Sequence, residues 1–260
     1  MRKFYMIAVM AVFALTASAQ TQLNLSTYSG TNVEPFDGKE CNVIVNRVLY
    51  HGWNTIALPF AVSESELNEA YGSDCRLERL VGVERNGNEL TLSFQDCKAQ
   101  GIEANVPYIL YYGGENAVKR IKKDAVVYDN EQSLSFNVKG NGETLTMSGA
   151  KRQFDGNGCY GILAKDNNDA KFVKVDDINT SGFYATRCFI KLSSGNDTHL
   201  NTVHLAAGEA TSISSVAAAN EKVDVYNLSG QRVATKMRAA DINNMQPGVY
   251  VVKGQKVLVK

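Results

Sequence analysis

Three histidines, five cysteines and scattered carboxylates are the groups in this 260-residue chain with the means for chemistry. His199 and His204 are five apart, so a strand places them on opposite faces and they cannot share a metal ion without a bend. Cys41, Cys75, Cys97, Cys159 and Cys188 include no CxxC pair, and no zinc site is predicted. Cys159 or Cys188 beside one of the three histidines would make a nucleophile pair, but no local sequence supports one. Locality suggests the disulfides Cys75–Cys97 and Cys159–Cys188, with Cys41 left as a buried thiol, although connectivity stays open. The oxygen-rich stretches Asp166-Asn167-Asn168-Asp169 and Asp176-Asp177 with Asn179 lack EF-hand spacing and read as solvated turns. No catalytic residue, metal or cofactor is assigned.

Aromatic residues offer a different chemistry, the stacking of a sugar or a protein side chain. Trp53, the one tryptophan, and Tyr111 and Tyr112 are the candidates for ligand contact. Each also has a packing role open to it. Trp53 stands beside Ile56 and Leu58, and its burial would contribute at most about 4–6 kcal/mol. Strand alternation puts Tyr111 and Tyr112 on opposite faces, so at least one can reach the surface. Lys119, Arg120, Lys122 and Lys123 form a basic run, read either as a site for an acidic glycan or as a solvated face.

Strand signals recur along the chain with Gly and Asn turns between them, which predicts a mostly β protein with an antiparallel β-sandwich-like body. Asn86-Gly87 marks a hairpin between Leu77–Glu84 and Glu89–Phe94. Pro107 is placed to start the strand Tyr108–Tyr112. Ala117–Tyr128 fits a strand or a short helix, and His199–Leu205 is the last strand of the body. Ser63 and Glu66 fit a capping box, which predicts one short helix over Glu64–Tyr71, stopped at Gly72. Composition then changes over Ala206–Asn220, AAGEATSISSVAAAN, which reads as a linker. The expected organisation is a leader over residues 1–19, a body over 20–205, a linker over 206–220 and a small C-terminal β-sandwich module over 221–260.

The leader has Arg2 and Lys3, the apolar run Met6–Leu15 and then Ala17-Ser18-Ala19 before Gln20, the order of a signal peptide. No later run is long and apolar enough to span a bilayer, so no transmembrane segment is expected in the mature chain. Without the leader, 25 basic residues face 27 acidic ones, since the 27 basic residues of the full chain lose Arg2 and Lys3. A nucleic-acid partner is not expected, because no basic field exists to release counterions.

The C-terminal stretch runs VDVYNLSGQRV and, after a spacer, PGVYVVKGQKVLVK. It predicts two hairpins packed on each other, with Gly230 and Gly254 at positions that call for positive φ. Lys253, Lys256 and Lys260 would charge the exposed edge. The residues Tyr226, Gly230, Pro247, Gly248, Tyr250, Gly254, Lys256 and Lys260 fall in a pattern that resembles the C-terminal sorting domains of the type IX secretion system in the Bacteroidetes. Gly52–Phe60, GWNTIALPF, resembles a GWNTICLPF-type segment of exported Bacteroidales β domains, with Ala57 where those carry cysteine. Ala104–Leu110 resembles their AGKPYLI element, departing at Asn105-Val106.

These resemblances imply export to the cell surface or medium, with type IX-like machinery as a partner and the tail as the sorting signal. If the tail is not such a signal, the protein stays in the periplasm. The expected role is non-catalytic, a binding, adhesion or structural component with a glycan or protein ligand. The alternative is a secreted glycan-processing hydrolase, which would need two carboxylates about 5–10 Å apart in a cleft.

Overall fold

Alternation of apolar and polar side chains sets the strands, and the computed structural model shows a mostly β protein. It describes residues 21–26, 32–138, 142–162, 170–175, 182–194, 198–205, 210–211, 222–253 and 255–259. The leader, the two oxygen-rich loops, most of 206–220, Gly254 and Lys260 lie outside the described residues.

The chain opens with β1 (Gln22–Ser26), β2 (Glu40–Leu49) and β3 (Gly52–Ile56), followed by helix α1 (Glu64–Tyr71). Next come β4 (Arg76–Asn86), β5 (Glu89–Asp96), β6 (Tyr108–Tyr112) and β7 (Ala117–Val126). The strands β8 (Leu134–Val138), β9 (Glu143–Gly149), β10 (Phe154–Asp155), β11 (Tyr160–Ile162) and β12 (Phe172–Lys174) follow. The body ends with β13 (Gly182–Phe183), β14 (Cys188–Leu192) and β15 (His199–Leu205). Beyond it lie β16 (Ala210–Thr211), β17 (Lys222–Tyr226), β18 (Arg232–Arg238), β19 (Gly248–Val252) and β20 (Gln255–Val259).

The central sheet, in the order β15-β5-β4-β6-β3, is apolar on both faces. On one face Trp53, Leu92, Phe94 and Ile109 pack with Leu145, Met147, Phe172 and Ile190 of the sheet β12-β11-β14-β9-β8, which makes the sandwich. The other face presents Ile56, Leu77 and Leu110 to α1 and to the sheet β1-β2-β7, a third layer that carries Leu25, Val43 and Val45. Every residue of β3 is therefore buried, as expected of a strand covered on both sides. Most ladders are antiparallel, but β1 joins β2, β15 joins β5 and β16 joins β20 in parallel. Ala117–Val126 takes the strand option and pairs along its length with β2.

The capping box of α1 forms as its sequence predicts. Glu66 N–H donates to Ser63 Oγ at 3.4 Å, and Ser63 N–H donates to Glu66 Oε2 at 2.7 Å. Gly72, at φ 98°, ends the helix. Lys123 Nζ of β7 lies 2.8 Å from Glu66 Oε1 and ties the helix to the third layer.

The C-terminal sheet has the order β16-β20-β19-β17-β18. Both expected hairpins form, but they join edge to edge through β17 and β19, not face to face. The reason is the connection Ala239–Asn244, a 3-10 turn whose Ala239 and Ile242 cover Val223, Val225, Val252 and Val257. Two residues of the expected linker, Ala210 and Thr211, belong to this sheet and pair with Lys256 and Val257. Lys256 is accordingly on an inner strand, and the charges on the edge strand β18 are Arg232, Lys236 and Arg238. Gly230 has the expected positive φ (79°), and in the second hairpin Lys253 adopts one (51°).

All five cysteines are free thiols, so neither expected disulfide forms. Cys188 packs in the sandwich core while Cys159 belongs to a separate cluster with Phe183. Cys75 and Cys97 belong to the other face of the central sheet, and each thiol approaches a carbonyl, Leu67 O at 4.0 Å and Leu77 O at 3.5 Å.

Candidate site: an aromatic and ionisable column on the central sheet

Cross-strand register brings Trp53 of β3 opposite Tyr111 of β6, and Tyr111 opposite Arg76 of β4. The Trp53 and Tyr111 rings meet edge to face at 5.4 Å. The Arg76 guanidinium carbon lies 4.8 Å from the Trp53 ring centre and 4.4 Å from that of Tyr111, a cation over two π faces. His204 of β15 stacks on Trp53 at 4.5 Å, with 6° between the planes. His51, just before β3, closes the row with its edge toward Tyr111 at 6.2 Å.

Below this row sits Glu78, two residues beyond Arg76 on the same face of β4 and 3% exposed. Its Oε2 lies 2.5 Å from His204 Nδ1. Burial pushes the Glu78 carboxyl above the usual carboxylate range, and the attraction of His204 and Arg76 only partly offsets it. A buried carboxylate is costly to ionise, so Glu78 holds its proton more firmly than a surface glutamate.

Trp53 is 1% exposed, with His204 stacked on it and Arg76 over it, so it is a core anchor and cannot serve as a sugar platform. Tyr112 is also buried, on the opposite face among the α1-side residues, with Lys119 Nζ 5.1 Å from its ring centre. Tyr111 alone of the three is half-exposed, and with Arg76 and His51 it forms a rim at the surface. Sequence reasoning missed Arg76, Glu78 and the inward His204. The parity of Leu200, Thr202 and His204 was available as a signal, but not the parallel placement of β15 beside β5.

Arg47 clamps the layers next to this column. Alternation along β2 turns it inward, where it is 1% exposed. Its guanidinium donates to the carbonyls of Thr55 and Thr186, and to Thr186 Oγ1 at 3.1 Å. Burial first, and Arg187 second, pull its pKa down to about 9. Thr186 sits at φ 68°, unusual for a β-branched residue, and Arg47 helps to hold it there. The neighbouring cleft at Ala57, Asn105, Lys151 and Thr186 has a volume of about 30 Å³, room for water only.

The other candidates separate. His199 is exposed while His204 faces inward, as their spacing predicts. Alternation divides the basic run of β7, where Arg120 Nε donates to Asn46 Oδ1 at 2.8 Å and Lys123 Nζ reaches Glu66. Among the described residues, no three His, Cys, Asp or Glu side chains gather to hold a metal ion. No helix among them is long and apolar enough to cross a membrane.

Of the sorting-type residues, Tyr226, Gly230, Pro247, Gly248, Tyr250 and Lys256 lie within the C-terminal sheet or its turns, and Gly254 and Lys260 lie outside the described residues. Tyr226 is half-buried in β17, and Gly230 turns the first hairpin, where Gln231 N–H donates to Asn227 Oδ1 at 2.7 Å. Pro247 is exposed, whereas Gly248 and Tyr250 are buried, with Tyr250 Oη donating to Gln246 O at 3.0 Å. No protein-family model, curated protein or solved structure matches the chain.

Proposed function

We propose that this is an exported cell-surface or secreted protein, in which the β body binds a ligand without catalysis and the C-terminal sheet directs passage across the outer membrane. One observation carries the export half. The turn-and-strand pattern from Val223 onward builds a sheet with an apolar core of its own, sharing no residue with the cores of the body. A signal read by type IX-like machinery needs that kind of self-supporting unit.

The rim of Tyr111, Arg76 and His51 supports the binding half. A half-exposed π face beside a guanidinium suits a sugar ring or a protein side chain. The glycan-processing alternative would enlist Glu78 as its acid. That carboxyl is buried and already hydrogen-bonded to His204, so the geometry favours binding.

Paired substitutions test the assignment. Tyr111→Ala is expected to abolish retention on a glycan or protein-ligand array and to lower the melting temperature less than Trp53→Ala does. Trp53→Ala is expected to cost about 3–5 kcal/mol of stability through the cavity it leaves. An unchanged melting temperature with lost binding in Trp53→Ala would reverse the roles of the two residues.

A further inference from the structure

We propose that the face of β4 around Gly82 is a docking surface for the Gln246–Tyr250 corner of the C-terminal sheet, and that docking masks residues by which the sheet is recognised for export. The masking half rests on the sorting reading above. Gly82 lies at an irregularity in the β4–β5 register, between Leu80 and Gly82. Its φ is not in the left-handed region, so the backbone itself does not demand glycine there. The neighbour crowds the position. A Cβ on Gly82 would stand 3.2 Å from Gly248 Cα and 3.3 Å from Val249 N. Both are main-chain atoms of a paired strand, with Gly248 opposite Val259 and Val249 opposite Leu258, and cannot swing aside as a side chain would.

The reverse substitution meets no such wall. A Cβ on Gly248 would find its nearest atoms, on Tyr250 and Gln246, at 3.8–3.9 Å. The close approach is therefore felt on the body side, where an added Cβ would have to push the neighbouring main chain back by a few tenths of an ångström. Val249 gives a second sign of docking. Tyr250 and Val252 point into the core of the C-terminal sheet, so Val249 points out of it, yet Val249 is only 6% exposed. Glu84 of β4 acts electrostatically on the Tyr250 phenol, which its burial already pushes upward. The receiving strand is firmly held, since Arg85 pairs with the buried Glu143 of β9, which also accepts from Ser194. A gap of about 160 Å³ beside the contact, bordered by Val83, Asn227 and Pro247, leaves the joint imperfectly filled, as suits one that must open.

Gly248 and Val249 cannot face β4 and a secretion component at the same time. Undocking must precede recognition, and anything that raises the undocked population raises the fraction available for export.

Hydroxyl-radical footprinting of the full chain tests the docking, with oxidation of Val249 as the readout and the buried Trp53 as a check on the body. Gly82→Val is expected to raise labelling of Val249 at least fivefold, Gly82→Ala to raise it less, and Gly248→Ala to leave it near wild type. Trp53 labelling is expected to stay low throughout. If Gly82→Val disturbs Trp53, Gly82→Ala decides. Unchanged labelling of Val249 in the Gly82 variant that keeps Trp53 protected would overturn the docking.

Pulse-chase export of the same variants in a secreting host tests the masking. Faster arrival of Gly82→Val at the surface is expected, and unchanged or slower arrival would overturn it. Failure of the sorting reading shows separately, as normal surface arrival of a chain lacking Val223–Lys260, and would leave the footprinting result untouched.

Discussion

Glu78 concentrates the electrostatic tension of the body in one carboxyl. Its folded pKa lies above the ordinary glutamate value of 4.5 because burial outweighs the pull of His204 and Arg76. The folded chain thus holds the proton more firmly than the unfolded chain does. The associated stability is present below about pH 4.5 and is lost as the pH rises through the higher folded value. Glu78→Gln cannot titrate, so its melting temperature relative to wild type is expected to improve between pH 4 and pH 7. An equal difference at both pH values would show that ionisation of Glu78 does not load the fold. Trp53 was readable as a core residue because Ile56 and Leu58 flank it. The Glu78–His204 pair was not readable, because its members are 126 positions apart and meet only through a strand order that spacing does not encode. Arg47 was hidden for another reason. An arginine on the inward face of an alternating strand looks like a break in the pattern, and its acceptors are main-chain carbonyls that no residue type announces.

Local signals fixed those elements that close on themselves. The Ser63–Glu66 box, the Asn86-Gly87 turn and Pro107 ahead of β6 each act within a few residues, and each appears where the sequence put it. Ser63→Ala is expected to cost about 1 kcal/mol in chemical denaturation, since it leaves Glu66 N–H without its cap. A cost near zero would mean that the Lys123–Glu66 tie and the burial of Leu67 and Tyr71 hold the helix without the box. Elements that depend on distant partners were less legible. Period-two alternation says that β15 has an inward face, but not that it will add to β5 in parallel. In the same way, the apolar stretch Val257–Val259 marks a strand without revealing that Ala210 and Thr211 will cover its edge.

At the scale of the whole molecule, a central sheet covered on both faces makes a three-layer body, and the C-terminal sheet, with its own core, meets it at Gly82. The sandwich was foreseeable from the density of strand signals. The third layer was not, because β3, buried on both faces, carries the polar Asn54 and Thr55 and so lacks the continuous apolar run that would announce a strand covered on both sides. On the proposed reading, the separate C-terminal core would let the tail be read as an address, and the rim at Tyr111 would be the surface on which the body binds. The most direct measurement is subcellular fractionation, in the secreting host, of the full chain beside one that ends before Val223. The full chain is expected at the surface or in the medium and the shortened chain in the periplasm. Surface arrival of both in equal amounts would contradict the account.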